Sequence, residues 1–106
     1  MGVVPETIAR AAELLREAAP SATLILFGSH ARGDAGPESD VDLLVVEPGL
    51  VDRRAELVRL RRVLRPLRIP VDLLVVTDRD VAEWGGLPGT ALYPALKEGR
   101  VLLETS

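Results

Sequence analysis

Apolar residues recur at helical spacing near the start of the chain, at Ile8, Ala11, Ala12, Leu15, Ala18 and Ala19, with Arg10, Glu13, Arg16 and Glu17 between them. The pattern predicts a helix from about Pro5 to Ala19, with Pro5 suited to a first turn and Pro20 as a stop. "ATLILF" is a short apolar, β-leaning strand. Gly28 to Ser39 carries three glycines and a proline and is expected to be turn and loop. "DVDLLVVE" is a second strand. Leu57, Leu60, Leu64 and Leu67 then mark a second helix, from about Val51 to Leu64, studded with arginines and closed by Pro66 and Pro70. "VDLLVV", Val71 to Val76, is a third strand. Thr77-x-x-Asp80 has the form of a capping box and starts a short helix that Gly85-Gly86 ends. Thr90 to Glu98 reads as a further short helix with Gly99 as its cap, and "RVLLE" as a last edge strand.

The strands are apolar on both faces after their first residues, as in a sheet covered by helices. The expected fold is α/β (α+β), a small mixed sheet flanked by helices in the order α-β-β-α-β-α-α with a final β. With 106 residues and 47% apolar content, the chain is expected to be one globular domain, 1–106, without room for a second. No apolar run is long enough for a membrane helix, and the N-terminus lacks a basic region followed by an apolar one. With no cysteine, disulfides and thiol chemistry are excluded. A cytoplasmic protein is expected. A net charge of −3 argues against bulk nucleic-acid binding.

Chemistry concentrates at the strand starts. Asp40 and Asp42 are two residues apart and fall on one face of an extended chain, roughly 7 Å apart. "VDLLVV" occurs twice, at 41–46 and 71–76, so Asp72 opens the third strand as Asp42 opens the second. A parallel β-α-β unit places both starts at one end of the sheet. If the first two strands are antiparallel, Gly28-Ser29 joins the same corner. Asp-x-Asp alone is common on any surface, and Gly-Ser alone is usually a turn; their conjunction with a third acid is what points to chemistry. Three hard oxygen donors suit Mg²⁺. A Gly-Ser turn offers N–H groups and a hydroxyl to phosphate without a side chain in the way. Together these describe metal-assisted phosphoryl or nucleotidyl transfer.

At these residues the sequence resembles the minimal nucleotidyltransferases of the DNA polymerase β-like superfamily. Their pattern is Gly-Ser, ten residues, then Asp-x-Asp; here Gly28-Ser29 precedes the ten residues His30 to Ser39 and then Asp40-Val41-Asp42. The flanks "FGSHARG" and "SDVDLLV" and the C-terminal "LYPALKEGRVLLE" agree. The resemblance implies that Asp40 and Asp42 hold two Mg²⁺ ions, with ATP as substrate. It implies that Asp72 shares the catalytic metal and helps activate the attacking hydroxyl. Gly28 and Ser29 grip the β- and γ-phosphates, and Arg32 assists with phosphate. Short members of this kind pair with a small helical HEPN toxin and act as its antitoxin, transferring AMP to a toxin tyrosine or masking the toxin by contact. A transferase acting on a small molecule or an RNA end is the remaining alternative, and self-association stays open. His30 and the single tryptophan, Trp84, are expected to play no catalytic part.

Overall fold

The computed structural model describes residues 5–36, 40–84 and 96–103. Helix α1 (Pro5–Ala18) leads into strand β1 (Thr23–Phe27), a short helix α2 (Gly28–Arg32) and strand β2 (Val41–Val46). Helix α3 (Arg53–Leu64) runs into a 3-10 turn, Arg65–Leu67, before strand β3 (Val71–Val76), helix α4 (Asp78–Trp84) and strand β4 (Arg100–Leu103). The expected class, a mixed sheet flanked by helices, is the one observed. The expected Gly85-Gly86 stop and most of the expected 90–98 helix lie outside the described residues; residues 96–98 are helical.

The sheet order is β3-β2-β1-β4. β1 runs antiparallel to β2 and to β4, while β2 and β3 are parallel. The alternation of side chains along the strands sends Leu24, Leu26, Leu43, Val45, Leu73 and Val75 into one core with Leu15 of α1 and Leu60 of α3. Ile25, Leu44 and Val76 pack on the other face with Val81 of α4 and Leu96. Leu15, Leu43, Leu44 and Leu60 are wholly buried. Hydrogen bonds at both ends extend the β2–β3 pairing: Val41 N–H donates to Pro70 O (2.8 Å) and Glu47 N–H to Val76 O (2.9 Å).

Helix α3 starts two residues later than its periodicity suggests, because Asp52 caps it: Asp52 Oδ1 accepts from Ala55 N–H at 3.0 Å. The expected capping box is formed, with Asp80 N–H donating to Thr77 Oγ1 and Thr77 N–H to Asp80 Oδ2, each at 3.0 Å. One expectation is corrected. Residues 28–32 are not loop; they form α2. The stretch Ser29 to Arg32 contains no helix breaker, its Ala31 is buried at 4% exposure, and Gly33 ends it in the left-handed conformation, φ 84°, with its N–H on Ser29 O. Three glycines over the longer stretch hide one turn of helix from a composition reading.

Where β2 ends, Glu47 meets the first turns of α3. Burial first, and then the neighbouring Glu56 carboxylate, push the Glu47 carboxyl up to about 7. Its Oε2 is buried without a hydrogen-bond partner among the described residues. Glu56 itself is held below its usual range, chiefly by Arg59, which donates to both its oxygens at 2.6 and 2.7 Å. A carboxyl raised on folding holds its proton more tightly in the native state. Its contribution is therefore intact below the ordinary carboxylate range and lost as pH rises to about 7. Glu47→Gln, a neutral mimic, is expected to match the wild type at pH 4.5 and to exceed it at pH 8. Allowing for partial solvent screening, the gain is about 1 kcal/mol, or roughly 4–8 °C in melting temperature. Melting curves of the two proteins across pH 4.5–8 check this, and parallel curves would contradict it.

Candidate functional site

The parallel register pairs Asp42 of β2 directly with Asp72 of β3. The antiparallel register pairs Phe27, the last residue of β1, with the same Asp42. Thus the end of β1, the start of β2 and the start of β3 meet at one edge of the sheet, as the sequence spacing suggests. Neither aspartate is free to slide, because each is followed by four strand residues paired one for one with the neighbouring strand. By strand alternation both stand on the face shared with Leu44, Leu74 and α4, not on the face covered by α1 and α3. Asp40 lies just before β2 and is exposed, Asp42 is half-buried, and Asp72 is exposed.

The electrostatics of this edge are strained toward a cation. Burial, then Asp72, then Asp40 raise the Asp42 carboxyl above its ordinary value, while His30 and Arg32 pull it back. Asp40 and Asp72 are therefore both near enough for their charges to bear on Asp42. Among the described residues, no three His, Cys, Asp or Glu side chains are drawn together closely enough to hold a metal ion as they stand. The donor set nonetheless suits a hard divalent cation. It consists of carboxylate oxygens from two paired strands, and a cation relieves the repulsion that lifts Asp42.

Gly28 opens α2 against this edge. It adopts φ 73°, and a Cβ built on it would overlap Asp42 Oδ2 and sit 3.0 Å from Asp42 Cγ. Only glycine fits both the conformation and the space. Ser29 follows, half-buried; its carbonyl accepts the N–H groups of Gly33 (3.0 Å) and Asp34 (3.1 Å), which anchors the short helix. Arg32 ends α2, exposed on the surface, and pairs with Asp34 (3.2 Å) and Glu98 (3.5 Å). The Asp34 hydrogen bond, first, holds its guanidinium more firmly charged than usual. Glu98 as a partner of Arg32 has no signal in the sequence, since 66 residues separate them. The Trp84 side chain lies outside the described residues.

A family model for the nucleotidyltransferase domain matches residues 8–83. The chain belongs to this nucleotidyltransferase family. The match runs from within α1 through nearly all of α4 and so includes Gly28-Ser29, Asp40, Asp42 and Asp72. No protein with curated annotation matches at a significant level. Among solved structures, a Sulfolobus solfataricus protein assigned to the nucleotidyltransferases is similar with a TM-score of 0.66 and 20% identity, over 93% of this chain and 78% of that one. A toxin–antitoxin complex crystallised with AMP-PNP is similar with a TM-score of 0.63 and 21% identity, over 98% and 76%. A complex of the tri-AMPylated Shewanella oneidensis HEPN toxin with its MNT antitoxin gives a TM-score of 0.59 and 19% identity, over 94% and 71%. At these identities the structural likeness concerns the nucleotidyltransferase fold. No helix among the described residues is long and apolar enough to cross a membrane.

Proposed function

We propose that this nucleotidyltransferase is a single-domain, cytoplasmic, Mg²⁺-dependent enzyme that transfers AMP from ATP to a hydroxyl acceptor. The acceptor is a tyrosine of a HEPN-type toxin partner, and the transfer makes the chain an antitoxin. The observation that carries the reading is the in-register pairing of Asp42 with Asp72 beneath a glycine that approaches Asp42 too closely for any other residue. The structural neighbours, one a toxin–antitoxin complex with AMP-PNP and one an AMPylated HEPN toxin with its MNT antitoxin, support the choice of nucleotide and partner.

In this reading Asp40, Asp42 and Asp72 would hold the Mg²⁺, two ions in all, through their carboxylate oxygens. When bound, Mg²⁺ supplies positive charge that stabilises the triphosphate and the leaving pyrophosphate. The acceptor hydroxyl oxygen attacks the α-phosphorus, the bond to the β-phosphate oxygen breaks, and pyrophosphate departs. Asp72, exposed at the start of β3, takes the hydroxyl proton on its carboxylate. Gly28 and Ser29 receive the β- and γ-phosphates through backbone N–H groups and the Ser29 hydroxyl. Arg32 reaches phosphate by exchanging its exposed pairing with Asp34 and Glu98 for the nucleotide. The rigid sheet fixes the carboxylates while the phosphates stay outside it.

A thermal shift measurement tests the site. Mg²⁺ with AMP-PNP is expected to raise the melting temperature of the wild type through linkage, by about 2.7 kcal/mol of stability at a hundredfold excess over Kd. Asp40→Asn is expected to lose most of that rise while keeping the melting temperature of the metal-free protein. An equal shift in both proteins would sink the assignment of Asp40.

A further inference from the structure

The Arg32 guanidinium, proposed to reach phosphate, is shared by two carboxylates of different standing. Asp34 accepts from its Nε at 3.2 Å. Asp34 N–H is bonded to Ser29 O, so this carboxylate belongs to the same turn as Arg32 and follows it. Glu98 accepts from Nη1 at 3.5 Å and comes from 66 residues away. It reaches α2 because β4 pairs with β1: Arg100 stands opposite Leu26, next to Phe27, the residue from which α2 starts. The residues around Glu98 are fixed on both sides. Leu96 packs against the cluster of Ile25, Leu44 and Val76, and Arg100 is paired in the sheet. Helix α2 is fixed as well, by its buried Ala31 and by the two N–H groups on Ser29 O. Two set backbones therefore hold the pair, and only the side chains remain to be ordered. The Arg32 charge also bears on Asp42, so the guanidinium stands within the field of the carboxylate edge.

We infer that Glu98 is a positioning residue for Arg32: its carboxylate competes with the triphosphate for the guanidinium and so sets the affinity for ATP. The inference rests on the proposed phosphate role of Arg32. A guanidinium grips an oxyanion through one of two forks, Nε with Nη2 or Nη1 with Nη2. Asp34 touches the first fork and Glu98 the second, so a phosphate gripped bidentately has to displace a carboxylate. Glu98 is the partner that does not travel with α2, and its negative charge meets the incoming triphosphate with the same sign. Replacing that charge by an amide therefore favours nucleotide capture. The effect is bounded. Both side chains are about half exposed, and an exposed pair changes an affinity severalfold at most and is screened by salt.

The test is calorimetric titration of the full chain with Mg²⁺ and AMP-PNP, for the wild type, Glu98→Gln, Arg32→Gln and the double variant. Arg32→Gln is expected to weaken binding by about tenfold. Glu98→Gln is expected to tighten it by about two- to fivefold at low salt, with the gain shrinking as salt is raised. In the Arg32→Gln background the gain is expected to vanish, because Glu98 acts through Arg32. In the transfer reaction Glu98→Gln is expected to lower the KM for ATP by the same factor at an unaltered kcat, a split that loss of structure does not produce. Glu98→Gln binding like the wild type, while Arg32→Gln binds more weakly, overturns the inference and leaves the phosphate role of Arg32 standing. So does an equal gain in the Arg32→Gln background, which would make the effect one of overall charge. Arg32→Gln binding as tightly as the wild type overturns the phosphate role of Arg32 and the inference with it. Wild-type protein that takes up no AMP-PNP overturns the nucleotide reading itself, and the inference with it.

Discussion

Asp42→Asn is expected to lower nucleotidyl transfer by on the order of 10²–10³-fold or more without unfolding the protein. The two halves of that expectation have one cause. Asp42 is the carboxylate on which the whole edge converges: it pairs in register with Asp72, sits under Gly28, and is raised by burial and by the charges of Asp72 and Asp40. A group whose carboxyl is raised on folding costs stability once pH climbs above the ordinary carboxylate range. An amide of the same shape removes that cost. At neutral pH without divalent metal, the variant should melt at or slightly above the wild-type temperature, while its activity is gone. Melting curves in EDTA beside an activity assay check both. A variant that is inactive because it is unfolded would contradict the placement of Asp42 at a solvent-facing strand mouth.

Gly28→Ala is expected to be the most damaging single methyl addition at the site. Two penalties coincide there. Alanine at φ 73° is strained by roughly 1 kcal/mol, and its Cβ would overlap Asp42 Oδ2 and crowd Asp42 Cγ at 3.0 Å. Asp42 cannot retreat into the sheet, because Leu43 and Val41 on either side of it are wholly buried. The carboxylate must rotate away from its place, so activity should fall about as far as in Asp42→Asn, together with a loss of stability of about 2–3 kcal/mol. Gly33 is the internal control. It has φ 84° but nothing within 4 Å of its would-be Cβ, so Gly33→Ala should show the conformational cost of about 1 kcal/mol alone and keep activity. Equal effects at the two glycines would mean that the close approach to Asp42 is immaterial.

The carboxylate edge was legible in the sequence because short connections and strict strand periodicity determine it. The repeated "VDLLVV" aligns residue for residue, Val41 on Val71 through Val46 on Val76, and that alignment alone puts Asp42 beside Asp72. The Thr77–Asp80 box was legible for a similar reason, since both partners lie within four residues. Helix α2 was not, because a single turn has no periodicity and its first residue is a glycine. The ion pair of Arg32 with Glu98 and the raised Glu47 carboxyl were not either. Each depends on tertiary placement: the first joins α2 to the residues before β4, the second joins the end of β2 to Glu56 of α3. The arginines of α3 were visible as a composition, but which of them remain unpaired is decided by where Glu56 and Asp80 come to lie.

The central claim is that the edge built by Gly28, Asp40, Asp42 and Asp72 transfers a nucleotide to a protein. The most direct measurement is incubation of the protein with ATP labelled at the α-phosphate, Mg²⁺ and a lysate of its own host, beside the Asp40→Ala/Asp42→Ala variant. A labelled protein band that appears with the wild type and disappears with the variant is the predicted result. Label on a protein that is equally strong with the variant, or no label on any protein, would contradict it.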